Sequence, residues 1–176
     1  MMLKSQDVLL TLKLLSSGGK HKTFAELGKE LGISASESNA AFHRARRSGL
    51  ISPLGDFVVK SAVAELLIHG LKYFFPVSPG RRTRGIPTGF AAAPLNKHFS
   101  VSPGDQDILV WPDPDGEDAG LEIRPICCSA PQAARRDPVL YEWLVLADAL
   151  RGAGRAREKQ LAESIVREKL GYHDQR

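Results

Sequence analysis

The sequence predicts a mainly α-helical fold with small β-hairpins, an α+β chain. Three observations carry that prediction. Apolar residues recur at helical spacing in several stretches, most of them opening on a residue that can cap a helix. Two β-prone pairs of segments flank turn-forming residues, at 50–59 and 107–126. The chain has 176 residues, 43% hydrophobic and 25% charged, which fits one domain or a small domain with an appendage.

Over residues 5–15, Val8, Leu9, Leu12 and Leu15 share one helical face. Ser5 is placed to cap this helix, Asp7 suits the positive end of its dipole, and Gly18-Gly19 ends it. A second helix starts with Thr23 and Glu26 at capping-box spacing, buries Phe24, Leu27 and Leu31, and stops at Gly32. Ser34 and Glu37 repeat the capping-box pattern. They open a third helix that runs to about Ser48 with Ala41, Phe42 and Ala45 inward. Next, Leu50-Ile51 and Phe57-Val58-Val59 flank Pro53-Leu54-Gly55-Asp56, which reads as a tight hairpin.

Two short helices joined through Gly32-Ile33-Ser34 form a helix-turn-helix, and a hairpin directly after the second helix stands where a wing would be. The outward side of the third helix carries Ser36, Asn39, Ala40, His43, Arg44 and Arg47, with Ser34 at its start. The small and hydrogen-bonding groups at its N-terminal end suit base edges, and its later cations suit phosphates or guanine. Lys60, closing the hairpin, suits the DNA backbone. The run LGISASESNAAFHRARRSGLI resembles the core of bacterial winged-helix regulators of the MarR-like type, over roughly residues 5–75. The resemblance implies an N-terminal winged helix-turn-helix that binds double-stranded DNA as a homodimer. Ser38 departs from the pattern, standing where such helices carry a buried Val or Ile.

Residues 61–75 predict a strongly apolar fourth helix with Val63, Leu66, Leu67, Leu71 and Phe74 buried, His69 in the core, and Gly70 marking a bend or close packing. A basic, Gly/Pro-rich connecting segment follows over 76–104, with no regular periodicity and with Arg81, Arg82 and Arg84 projecting. Three readings stay open for it: a disordered loop, an arm on DNA, or a docking surface for another protein. It is no phosphate loop, because no Gly-Lys-Ser/Thr closes it, and no dinucleotide fingerprint, because no strand precedes it.

Residues 105–176 predict a β-hairpin over 107–126 and C-terminal helices for oligomerisation or partner docking. Asp113, Asp115, Glu117 and Asp118 read as a solvated turn, since the calcium-loop signature is absent. Asp137, Pro138 and Gly152 bracket one helix, and a last helix carries Leu161, Ile165 and Leu170 on a thin apolar stripe, as suits packing on its own domain or on a second subunit. Together with the apolar fourth helix, these segments resemble bacterial winged-helix proteins of the antitoxin type.

The formal net charge of +4 points to a polyanionic partner. No apolar run reaches the ~20 residues that span a bilayer. Asp7 and Lys13 interrupt the N-terminal leucines, against a signal peptide, and the expected location is cytoplasmic. The two cysteines, Cys127 and Cys128, are adjacent, which excludes a disulfide framework and a Cys-rich zinc site. His21, His43, His69, His98 and His173 are scattered, and no nucleophile–base pair, metal cluster or phosphate loop stands out. The expectation is a non-enzymatic, cofactor-free, sequence-specific DNA-binding transcriptional regulator. The alternative is a protein-interaction module or antitoxin that regulates a partner enzyme.

Overall fold

The computed structural model describes residues 2–18, 22–100 and 108–173. Gly19, His21, the acidic Asp105 and Asp107, and positions 101–104 of the connecting segment lie outside them. Seven helices and a three-stranded mixed sheet are present among the described residues: α1 (Ser5–Ser16), α2 (Phe24–Leu31) and α3 (Ala35–Arg47) come first. α4 begins as Lys60–Glu65, passes through a π-helical Leu66–Gly70 and ends as Leu71–Phe74. Strands β1 (Arg82–Thr88), β2 (Leu109–Pro112) and β3 (Asp118–Glu122) follow. The chain closes with α5 (Ala130–Arg136), α6 (Pro138–Asp148, extended by a π-helical Ala149–Ala153) and α7 (Ala156–Leu170).

The helix starts show which side chains satisfy the first free N–H groups. Thr23 and Glu26 form the expected reciprocal capping box on α2. Asp137 accepts from the Leu140 N–H at 3.0 Å, with Pro138 at the first position of α6. α1 differs: its cap is Lys4, not Ser5, because the Asp7 carboxylate accepts from the Lys4 N–H at 2.8 Å. On α3, Ser34 accepts from the Glu37 N–H at 3.0 Å, but the Glu37 carboxylate turns to Arg44 instead of completing a box.

The π-helical stretch of α4 changes what the helix buries. One extra residue in a turn rotates everything after it by about 100°. Leu67, Ile68 and Leu71 are buried, whereas His69 is exposed, contrary to the expected core position. Phe74 is also turned outward, 60% exposed beside Tyr73 at 76%.

The arginine segment is a strand, not an irregular loop. Arg82–Gly85 of β1 pairs antiparallel with β3, and Gly85–Thr88 pairs antiparallel with β2. β2 and β3 run parallel, the Leu121 N–H donating to the Ile108 carbonyl at 2.8 Å and the Ile123 N–H to Val110 at 2.9 Å. The expected antiparallel hairpin over 107–126 therefore does not form; its two halves pair in parallel, β1 pairs antiparallel with both, and the three strands close on themselves. Closure requires glycine. A Cβ at Gly85 would sit 2.0 Å from the Trp111 carbonyl oxygen, and one at Gly120 2.3 Å from that of Ile108.

The main hydrophobic core runs from Val8 on α1 to Leu170 on α7, and a smaller cluster holds Phe90, Ile108 and Val110. The main core draws on all three expected segments, 1–75, 76–104 and 105–176. α6 is its hub, with Leu140 and Trp143 through Asp148 all buried. Of the expected α7 stripe only Leu170 is buried; Leu161 and Ile165 are half-buried against the core, which takes Ala162 and Val166 instead.

Two ionic clusters tie the chain together. The buried Asp148 on α6 accepts from Thr88 Oγ1 at 2.8 Å, Trp111 Nε1 at 2.7 Å and Arg151 Nε at 2.8 Å. Arg151 in turn donates to the carbonyls of Phe75 and Arg124. One pair thus joins α4, β1, β2, the segment after β3, and α6. At the other end, Lys13 meets Asp137 at 2.6 Å and Glu30 at 2.9 Å, linking α1, α2 and α6.

Replacing Asp148 with alanine strands a charged Arg151 that is only 4% exposed. The expected loss is about 3–5 kcal/mol of unfolding free energy in urea titrations, and Asp148→Leu combined with Arg151→Met should recover most of it.

The Lys13 cluster makes stability depend on pH at both ends. Burial opposes charge on Asp137 and Glu30, but hydrogen bonds from Lys13, and from Lys22 to Glu30, outweigh it and hold both carboxyls below their ordinary range. Burial also opposes charge on Lys13, and its two carboxylate partners outweigh that and raise it above the lysine range. The carboxylates' contribution is present above about pH 4 and is lost as pH falls through their folded values; that of Lys13 is present below about pH 10.4 and is lost as pH rises through its folded value. Lys13→Met should flatten both limbs of a plot of urea midpoint against pH.

Candidate nucleic-acid interface

α3 is held by its buried side. Ala41, Phe42 and Ala45 pack inward, and Phe42 meets Phe24 of α2 edge to face at 5.5 Å. The turn before it is tight: Gly32 has φ +70°, and a Cβ on Gly28 would lie 2.7 Å from the Ile33 carbonyl oxygen. Ser38 is fully buried, and its hydroxyl has no hydrogen-bond partner.

The outward side of α3 is a stripe. Ser36, Asn39, His43 and Arg47 are exposed at helical spacing, and Ala40 is half-buried beside them. Ser34 is exposed at the start of the helix, but its oxygen is used by the cap.

Arg44 does not belong to this stripe. Its guanidinium grips Asp7, with Nη2 at 2.8 Å and Nε at 2.9 Å from Oδ1, and meets Glu37 at 2.7 Å. Asp7 is fully buried and the Arg44 side chain is 12% exposed, so the pair bolts α3 to α1. An arginine with two carboxylate partners at these distances is already neutralised, which corrects its expected role as a DNA contact. Arg46 is likewise occupied: it pairs with Asp56 and lies 4.9 Å over the Phe42 ring. The first signal for the Arg44 lock was an aspartate on an otherwise apolar helix face. The second was Glu37 two turns before Arg44.

The hairpin after α3 is narrow. Ile51 and Val58 bridge, the Ser52 N–H donates to Phe57 at 2.9 Å, and the Val59 N–H to Leu50 at 2.9 Å. Its tip exposes Leu54 (93%) and Phe57 (57%). Lys60 follows, exposed at the start of α4.

Arg81, Arg82 and Arg84 are exposed, but on β1. Their sheet rests on α6, through Tyr141 to Pro87 and through Thr88 and Trp111 to Asp148, whereas α3 rests on α1 and α2. The expected residues thus fall into an α3 stripe with Lys60 nearby and a separate arginine strand. Arg81 stands 3.9 Å from Glu122, its side chain 88% exposed.

Among the described residues, no group of three or more His, Cys, Asp or Glu side chains is placed to hold a metal ion, and no helix is long and apolar enough to cross a membrane. Comparison with protein-family models, with curated proteins and with solved structures finds no match to this chain.

Removing the unpaired buried hydroxyl should stabilise the helix packing. Ser38→Ala is expected to raise the unfolding free energy by about 1 kcal/mol, read as a higher urea midpoint with an unchanged slope.

Proposed function

We propose that this chain is a sequence-specific DNA-binding transcriptional regulator of winged-helix type, reading the major groove with α3. The observation that carries the reading is the α3 stripe. A helix locked by Arg44, Asp7 and the Ser34 cap holds Ser36, Asn39, His43 and Arg47 outward in register, followed at once by a hairpin and Lys60. Asn39 suits an adenine edge, and Arg47 and Lys60 suit phosphates. With Arg44 and Arg46 engaged internally, less of the affinity comes from counterion release and more from base contacts. Two copies would place two α3 helices on half-sites ~34 Å apart. The half-buried Leu161 and Ile165 of α7 leave an apolar edge that such a dimer could use.

A second reading, docking on a protein partner as an antitoxin does, draws on the exposed Tyr73 and Phe74 of α4.

The test is fluorescence anisotropy on duplexes selected from a random pool, at two salt concentrations. Asn39→Ala should weaken the selected site about tenfold and relax its sequence preference, and Arg47→Ala should lower the salt slope by about one. Alanine at Arg81, Arg82 and Arg84 together should lower that slope further; an unchanged slope assigns the arginine strand to a protein partner. Absence of any salt-dependent duplex binding would sink the DNA reading.

A further inference from the structure

A cavity of about 290 Å³ opens at the start of α7. Phe90, Phe99 and Ser100 line it from the segment between β1 and β2, and Arg155, Arg157 and Glu158 from the first turn of the helix. Phe90 belongs to the smaller apolar cluster and meets Phe99 edge to face at 6.3 Å. The space stands at the lower end of the ~300–1,000 Å³ of ligand pockets.

Glu158 singles the cavity out. The residue is 3% exposed, and its Oε2 has no hydrogen-bond partner among the described residues. The carboxylate is engaged only at the helix start, where it accepts from the Arg155 N–H. Buried carboxylates normally fill their acceptor sites, because an unmet one forfeits the hydrogen bonds it had in water. Burial pushes the Glu158 carboxyl above its ordinary range, and the Arg155 N–H with the charges of Arg155 and Lys159 does not outweigh it. The cavity therefore holds one buried acceptor that calls for a donor from outside the chain.

The mouth sets the rest of the ligand. Arg155 and Arg157 are exposed there, their guanidiniums 5.8 Å over the Phe90 ring and 5.6 Å over the Phe99 ring. Those distances are near the ~6 Å limit of a cation–π contact. Rings and guanidinium planes suit a flat ring, and the guanidinium forks suit a phosphate. The start of a 15-residue helix adds the positive end of its dipole. Two cations at the mouth oppose a ligand cation, which favours a neutral donor-bearing ring over an alkylammonium. Among the nucleobases, guanine sets two donors side by side, N1–H and the N2 amino group. Adenine and cytosine put a ring acceptor beside their amino group, and uracil flanks its N3–H with two carbonyls. A carboxylate oxygen attracts the first pattern and repels the acceptors of the others.

We propose that this cavity binds a guanine nucleotide, its N1–H and N2 amino group on Glu158 Oε2, its ring against Phe90 and Phe99, and its phosphate on Arg157 with Arg155 beside it. The site uses no residue of α3, the hairpin or β1, so it stands apart from the DNA-binding reading.

Calorimetric titration with GMP, IMP, AMP and UMP, with the Phe ring signals followed by NMR, tests the site. GMP should bind. IMP, which keeps N1–H but lacks the amino group, should bind about tenfold more weakly, and AMP and UMP roughly a hundredfold. Guanosine should bind several-fold more weakly than GMP at low salt, and the gap should narrow at high salt. Glu158→Gln keeps the side chain's shape and its acceptor at the helix start. It should lose about tenfold or more in GMP affinity while its urea midpoint stays level or rises. Arg157→Ala should weaken GMP about fivefold and leave guanosine unchanged. Arg47→Ala, on the candidate DNA stripe, should leave GMP binding intact. The dinucleotide pGpA presents the same chemistry at the end of a strand and should bind no tighter than GMP; tighter binding overturns a free nucleotide as the ligand. Failure of GMP to bind at millimolar concentration, equal binding of GMP and AMP, or full GMP affinity in folded Glu158→Gln overturns the site. Unchanged GMP affinity in Arg157→Ala overturns the placement of the phosphate. The ranking of the four nucleotides decides even where Glu158→Gln does not fold.

Discussion

The carboxylate of Asp148 is the point on which the two halves of this fold turn. It is buried on the central helix and accepts three hydrogen bonds, from Thr88 on β1, Trp111 on β2 and Arg151 one turn on. Burying a carboxylate is costly unless its charge and its acceptor sites are matched. Here the guanidinium matches the charge, and two neutral donors occupy the other oxygen. Arg151 passes the constraint on to the carbonyls that end α4 and follow β3. Apolar packing could bring these elements together in several registers. The hydrogen-bond geometry at Asp148 selects one, because any slip of β1 against α6 would break both the Thr88 bond and the bond from Tyr141 to Pro87.

That constraint also explains why a strand forms where the chain shows no strand pattern. Arg81 through Thr88 has no alternation of apolar and polar residues, contains a glycine and a proline, and belongs to no local hairpin. Its partners lie more than twenty residues on, and they approach from two sides because Gly85, Gly116 and Gly120 leave room for backbone against backbone. Nothing local encodes that closure. The helices were legible because their information is local: the Thr23–Glu26 box, the Ser34 cap, and Asp137-Pro138 each mark a helix start within four residues. α5 was missed because Ala130–Arg136 is short and Ala-rich, with no apolar stripe to show a period. His69 and Phe74 were misplaced because the π-helical turn shifts the helical phase, and a fixed 3.6-residue period cannot register an extra residue.

Charge was the least legible quantity for the candidate interface. A count of cations on α3 suggests a strongly basic reading helix, yet two of the arginines are spent inside the molecule. Arg44 neutralises the buried Asp7, and Arg46 holds the hairpin through Asp56. The partners are 37 and 10 residues away, so only the folded chain brings them together. On the proposed DNA-binding reading, the exchange has a consequence for specificity. Cations that fix the pose of α3 contribute nothing to non-specific attraction, while the polar groups they position, Ser36 and Asn39, are of the kind that discriminate between bases.

The anchoring of these elements is uneven. α1 is tied to α3 by Asp7 and Arg44, and to α2 and α6 by Lys13 with Glu30 and Asp137. Those are buried or half-buried pairs between rigid elements. The hairpin has a single two-residue bridge, a few backbone hydrogen bonds and one ion pair to Arg46, and Leu54 and Phe57 at its tip are exposed. Sub-global motions draw on the elements with fewest buried contacts. Beside α3 the least-anchored element is therefore the hairpin, which leads into Lys60. Between them, α3 stays fixed against the core while the hairpin is free to move first.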